Sequence, residues 1–135
     1  MKILTPAKIN PILYILRKRK DRFHELYMHL VPISLFDILN FSKNYSMKLN
    51  FKINGANFSS DSEDNLVIKA LRSFEKATGK NVYLDIFLDK RIPSGAGLGG
   101  GSGNAAGTLC ALNYIYRENS ESKGLLSSQE IFNLA

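Results

Sequence analysis

The sequence predicts one domain that mixes strands with helices, and three observations carry that prediction. Apolar residues alternate with polar ones in several short runs. They recur at helical spacing in others, and a glycine-rich segment joins the last strand to a long helix. At 135 residues, 44% hydrophobic and 22% charged, the chain can bury one core and is too apolar to be disordered.

Each element has its own signature. Ile3 to Leu16 is rich in Ile and Leu but interrupted by Pro6 and Pro11, which suits a strand at a sheet edge, because proline cannot donate to a ladder. Arg17-Lys18-Arg19-Lys20 and Arg22 read as a solvated turn. Glu25 to Val31 and Phe36 to Phe41 are short extended candidates. Met47, Leu49, Phe51 and Ile53 then alternate strictly before Asn54-Gly55, a half-buried strand entering a tight turn. A helix is bracketed by Asp61, Ser62 and Asp64 at its start and Gly79 at its end, with Val67, Ala70, Leu71, Phe74 and Ala77 on one face. Val82, Leu84, Ile86 and Leu88 form the next strand.

After the glycines, Ala105, Leu109, Leu112 and Tyr116 fall at helical spacing, with Cys110 read as buried packing beside Leu109. Ser127 and Glu130 have the spacing of a capping box, and Ile131, Phe132 and Leu134 begin an amphipathic helix. So short a helix is marginal alone, so the chain is expected to be cut from a longer one. Its loss of half a core is then expected to expose apolar surface on the helices of Val67 and Leu109.

Composition narrows the function. A single cysteine excludes an internal disulfide and a multi-cysteine zinc site and fits a reducing compartment. No apolar run approaches the ~20 residues of a membrane span, so a cytoplasmic protein without a membrane partner is expected. The net charge of +6 is local: residues 1–60 carry 10 Lys/Arg against Asp21, Glu25 and Asp37, whereas residues 61–135 are slightly acidic. A basic rim attracts nucleotide phosphates and RNA alike, so charge alone does not separate the two.

The segment Pro93-Ser94-Gly95-Ala96-Gly97-Leu98-Gly99-Gly100-Gly101-Ser102-Gly103 holds six glycines in nine positions, between a strand and a helix. Glycines allow positive φ and close approach, so successive N–H groups can point at the oxygens of an anion, and the helix N-terminus adds its dipole. The physical content is a phosphate cradle. A Walker loop needs Gly-Lys followed by Ser or Thr, which is missing here. Gly95, Gly97 and Gly100 match the dinucleotide pattern formally, yet Glu118, the acidic residue about 20 positions on, falls past the helix rather than at the end of a second strand. A protein-kinase loop lies between strands, not before a helix.

This segment resembles the ATP-phosphate loop of the GHMP kinases. Pro6-Ala7-Lys8-Ile9-Asn10, Asp21-Arg22-Phe23-His24-Glu25-Leu26 and Asp64-Asn65-Leu66 are similar, in order and spacing, to the branch that acts on a cytidyl diphosphate of methylerythritol in non-mevalonate isoprenoid synthesis. The resemblance implies an α+β fold, ribosomal-S5-like, in which residues 1–135 are the ATP-binding N-terminal domain, incomplete at its C-terminus and lacking the second domain. It implies transfer of the ATP γ-phosphoryl group to a substrate hydroxyl, with Mg2+ accompanying ATP, and no nucleic acid partner. Pro93 to Gly103 would hold the phosphates, Lys8 would be the active-site lysine, and Asn65 and Lys90 would reach the nucleoside of ATP. Asn10 would bind the polyol end of the substrate, while Phe23 and His24 would receive the cytosine. No residue is assigned to a metal.

Each of these has an ordinary alternative: Lys8 as a surface lysine, Asn10 as a turn residue, Phe23 as core and His24 as a strand-edge histidine, with His29 structural. Another GHMP small-molecule kinase, or a non-catalytic nucleotide- or RNA-binding module, also remains open. The sequence departs from the branch's pattern in three ways. Arg22-Phe23 stands for Gly-Tyr, and Gly103 for a second serine. The family's catalytic aspartate belongs beyond the last helix, and neither Asp85 nor Asp89 matches its position, so residues 1–135 are expected to show little turnover alone.

Overall fold

The chain folds as β1 (Lys2–Lys18), β2 (His24–Lys43), β3 (Asn50–Asn54), α1 (Leu66–Thr78), β4 (Leu84–Asp89), α2 (Gly100–Arg117) and α3 (Ser128–Leu134). This is a computed structural model, and it describes residues 1–55, 64–117 and 126–134. The strands form one sheet in the order β1-β2-β4-β3. β1 pairs with β2 and β2 with β4 antiparallel, while β3 runs parallel to β4. A parallel pair cannot be joined by a tight turn, and α1 is the crossover between β3 and β4. The mixed sheet with helices is the expected α+β fold.

Alternation decides which face of the sheet is covered. Along β4, Leu84, Ile86 and Leu88 are buried and Phe87 is exposed. The buried set meets Val67, Ala70, Leu71 and Phe74 of α1 and Ala105, Leu109, Ala111 and Leu112 of α2 in one core. On the opposite face, Asp85 accepts hydrogen bonds from Asn44 and Asn50, each at 2.7 Å. α1 starts at Asn65, whose side chain accepts from the Val67 N–H at 2.9 Å, and stops at Gly79 with φ 68. The helix therefore begins after the expected capping residues: Asp64 pairs with Lys69 at the surface, and Asp61 and Ser62 lie outside the described residues. The expected capping box forms, with the Ser127 N–H donating to Glu130 Oε2 at 2.7 Å and the Glu130 N–H to Ser127 Oγ at 3.3 Å.

The β1–β2 hairpin departs most from the sequence reading. The two extended candidates at Glu25 and Phe36 are one strand, and Arg17 and Lys18 belong to β1 rather than to the turn. Pro6 and Pro11 do lie on an edge strand, and register shifts follow Pro6 and fall between Ile9 and Ile12. β4 pairs with β2 only from Ile38 onward, so the outer part of the hairpin stands beyond the sheet as a two-stranded ribbon. There Leu13, Ile15, Leu26, Met28 and Leu30 are exposed. Period-two patterning marks a strand but not how many strands accompany it.

The same packing corrects further expectations. The helices of Val67 and Leu109 bury those two residues but do expose apolar surface at Leu66 and Tyr114, and the ribbon exposes more. Cys110 is exposed, because Leu109, Ala111 and Leu112 take the core-facing side of α2 and leave position 110 outward. Phe23 is 74% exposed and is not core. Met47, Leu49 and Val82 fall outside their strands, though Val82 is still buried. Glu118 lies outside the described residues.

Candidate functional site

β4 delivers the chain to the glycine segment, and α2 takes it away. Gly95, Gly97 and Gly99 have φ of 75, 71 and 70, a left-handed backbone that side-chain-bearing residues rarely adopt. Alternating left-handed residues turn successive N–H groups toward one side, the geometry that receives an anion. The ladder of α2 opens with the Gly103 N–H donating to the Gly99 carbonyl at 2.9 Å. The N–H groups of its first turn have no intrahelical acceptor, and no acidic residue occupies that turn.

Lys8 is held against this loop. Its backbone N–H donates to the Leu98 carbonyl at 2.9 Å, and its side-chain carbons pass so near Gly99 that a Cβ there would stand 3.1 Å from Lys8 Cγ. Two residues along β1, Asn10 Oδ1 is buried and has no hydrogen-bond partner among the described residues. A buried acceptor left unsatisfied costs free energy, and a ligand donor would remove that cost.

On the other side of the loop lies a cleft of about 220 Å³, lined by Asn65, Lys90, Ser94, Gly101 and Asn104 together with Ile53, Leu66 and Leu88. Four of these polar and glycine positions come from three separate stretches that the sequence reading had assigned to ATP. The apolar three give the cleft a floor fit for a flat ring. Phe23 and His24 are not brought to this place: they sit at the turn end of the ribbon, where His24 pairs with Lys18. Among the described residues, no hydrogen bond links them to Lys8, Asn10 or the loop. The basic turn is partly neutralised by ion pairs of Arg17 with Glu25 and Arg19 with Asp21.

Beneath the loop is a polar cluster that sequence reasoning missed. Asp37 of β2 is wholly buried. Its Oδ1 accepts from the backbone N–H groups of Arg91 and Ile92, both at 2.7 Å, and its Oδ2 from Lys90 Nζ at 2.6 Å and Asn104 Nδ2 at 2.8 Å. Lys90 Nζ donates also to the Ile92 carbonyl, and the Thr5 hydroxyl donates to Asn104 Oδ1. Burial pushes the Asp37 carboxyl up, but the hydrogen bonds from Ile92, Lys90, Arg91 and Asn104 outweigh it and hold it below its ordinary 3.8. The Lys90 ammonium is thus committed to Asp37 while the residue borders the cleft. A lone aspartate within an apolar strand carries no local signal of such partners.

Residues 65–135 match the family described as GHMP kinases N terminal domain. The chain is 47% identical over 116 residues to the 4-diphosphocytidyl-2-C-methyl-D-erythritol kinase of Prochlorococcus marinus subsp. pastoris, covering 84% of this chain and 36% of that protein. It is 43% identical over 118 residues to the chloroplastic 4-diphosphocytidyl-2-C-methyl-D-erythritol kinase of Arabidopsis thaliana, covering 85% and 30% respectively. A solved 4-(cytidine 5'-diphospho)-2C-methyl-D-erythritol kinase has a similar fold, with TM-score 0.77 and 34% identity over 100% of this chain and 46% of that one. The chain therefore spans less than half the length of these relatives. No helix among the described residues is long and apolar enough to cross a membrane.

Proposed function

Because this chain belongs to the GHMP kinases, we propose that it supplies the ATP-binding part of an enzyme that phosphorylates 4-diphosphocytidyl-2-C-methyl-D-erythritol at its 2-hydroxyl, in isoprenoid synthesis. The observation that carries this reading is the convergence on one loop. Asn65, Lys90, Ser94 and Gly101 line a cleft on one side of it, and Lys8 is fastened to the other. The nucleoside of ATP occupies the cleft, and the phosphate chain crosses the loop toward Lys8. Residues from Pro93 to Gly103 hold the phosphates through backbone N–H groups, with the hydroxyls of Ser94 and Ser102 as further donors.

In the reaction the bond from the γ-phosphorus to the β–γ bridging oxygen breaks, and a bond to the substrate hydroxyl oxygen forms. The electron pair stays on ADP. The Lys8 ammonium stands near the attacking oxygen and the transferred group, where negative charge must be stabilised. Asn10 Oδ1 accepts from a hydroxyl of the polyol end, filling its unmet acceptor. The hydroxyl proton passes to the family's aspartate, which belongs just beyond the last helix, outside residues 1–135. Phe23 stacks on the cytosine and His24 hydrogen-bonds it at the far end of an elongated substrate.

Mg2+ would neutralise phosphate charge when bound. Among the described residues no carboxylate lines the cleft and no group of three His, Cys, Asp or Glu could hold a cation, so the ion would be carried by the phosphates of ATP. The reading needs neither nucleic acid nor membrane and places the enzyme in the cytoplasm.

The test is ADP release by the full-length polypeptide. Release that requires the cytidyl substrate, and falls roughly 100-fold or more in Lys8→Met, is the expected result. A His24→Ala variant whose KM for that substrate matches wild type would sink the cytidyl assignment and leave another small-molecule acceptor.

A further inference from the structure

We infer that Asp37 is a positioning residue for the phosphate loop, fixing its upstream flank and the first turns of α2 in one geometry. The inference rests on the reading of that loop as an ATP site.

Asp37 is neither part of the loop nor itself in the cleft lining, yet it bonds the lining residues Lys90 and Asn104 and grips both ends of the loop. Upstream, the N–H groups of Arg91 and Ile92 converge on Oδ1, immediately before Pro93. Downstream, Asn104 of α2 donates to Oδ2, and Thr5 of β1 orients Asn104 in turn. Lys90 completes the set at Oδ2, with a side chain only 6% exposed. A Cβ on Gly100 would lie 2.9 Å from its ammonium, so this cation stands beside the first residue of α2. Unpaired, it would add to the positive end of the helix dipole in a buried place, and Asp37 removes that conflict.

Four donors meet two oxygens, and only a carboxylate accepts at all four. An asparagine would turn an NH2 group either onto two backbone N–H groups or onto Lys90 and Asn104, setting donors against donors. The loop between these anchors holds three left-handed glycines and is exposed from Pro93 to Gly97, so its shape depends on how its ends are held as well as on the Lys8–Leu98 hydrogen bond. A cradle of fixed N–H groups binds an anion well only if those groups are already in place.

The experiment compares Asp37→Asn with wild type, and Lys90→Gln with Lys90→Gln carrying Asp37→Asn, in the full-length polypeptide well below its melting temperature. The Lys90→Gln background removes the charge that Asp37→Asn would strand, so the second comparison stands where the single variant fails to fold. In each pair Asp37→Asn raises the KM for ATP roughly tenfold and that for the cytidyl substrate less than about twofold. A merely structural role would lower the folded fraction and the melting temperature but would not split the two KM values. Equal ATP KM values for Lys90→Gln with and without Asp37→Asn overturn the inference, as does a rise in both KM values together.

A Gly99→Ala control keeps the two readings apart. If it raises the ATP KM while Asp37→Asn does not, only the role of Asp37 falls. If Gly99→Ala leaves the ATP KM unchanged, the phosphate cradle itself falls and Asp37 with it.

Discussion

The pole beneath the glycine loop and the outer β1–β2 ribbon invert the usual distribution of side chains. At the pole, Asp37, Asn104, Thr108 and Thr5 are at most 4% exposed, whereas on the ribbon Leu13, Ile15 and Tyr27 are more than half exposed. Polar groups can be buried when every donor and acceptor is met, as around Asp37. Among the described residues, no third strand or helix pairs with the ribbon. It is held by its ladder, the Tyr14–Tyr27 ring contact at 6.3 Å and the Arg17–Glu25 pair. Stability therefore concentrates at the pole, and substitutions should expose the asymmetry.

The largest effect is expected from Lys90→Met, which strands the buried Asp37 carboxylate and should cost about 3–5 kcal/mol in urea unfolding. A loss under about 1 kcal/mol would mean that the pole is not an interlocked unit. Leu109→Ala, at a position that is 0% exposed, should cost about 2–5 kcal/mol by the same measurement.

Acid should act on the same pole. The carboxyl of Asp37 is held below 3.8, so its contribution is complete above that pH and is lost as pH falls through its lower folded value. The acid limb of the stability profile should flatten in Asp37→Asn; an unchanged limb would assign it to other carboxylates.

Two glycines of α2 should respond with opposite signs. A Cβ on Gly107 would stand 2.7 Å from Thr5 Cγ2, so Gly107→Ala should destabilise by about 1–3 kcal/mol. At Gly103 the nearest atoms are 3.7 Å away or more, so Gly103→Ala should stabilise by about 0.5–1 kcal/mol. Melting temperatures moving in the same direction would contradict this packing. The smallest effect belongs to the ribbon, where Ile15→Thr should stay within about 0.5 kcal/mol; a loss of several kcal/mol would show the ribbon to be part of the cooperative core.

Much of the site was legible because its signals are local. The glycine segment declares positive φ and close approach, and the helix that follows declares a dipole; Lys8 and the loop do meet. Asn65 was singled out for the site, and it does line the cleft, but it was not legible as a cap, since Asp61, Ser62 and Asp64 offer the same chemistry in the same stretch. Asp37 was not legible, because its partners lie 53 to 67 residues away and come together only when β2 passes under the loop.

Period-two and helical patterning, with the glycines, determined the element types, the apolar faces and the place of the left-handed glycine loop, since each depends on residues a few positions apart. Tertiary structure alone decided that Asp37 clamps the loop, that the hairpin outruns its sheet, and that Cys110 faces out while Leu109 faces in. Those outcomes depend on which elements become neighbours, and burial and hydrogen-bond partners exist only once the neighbours do.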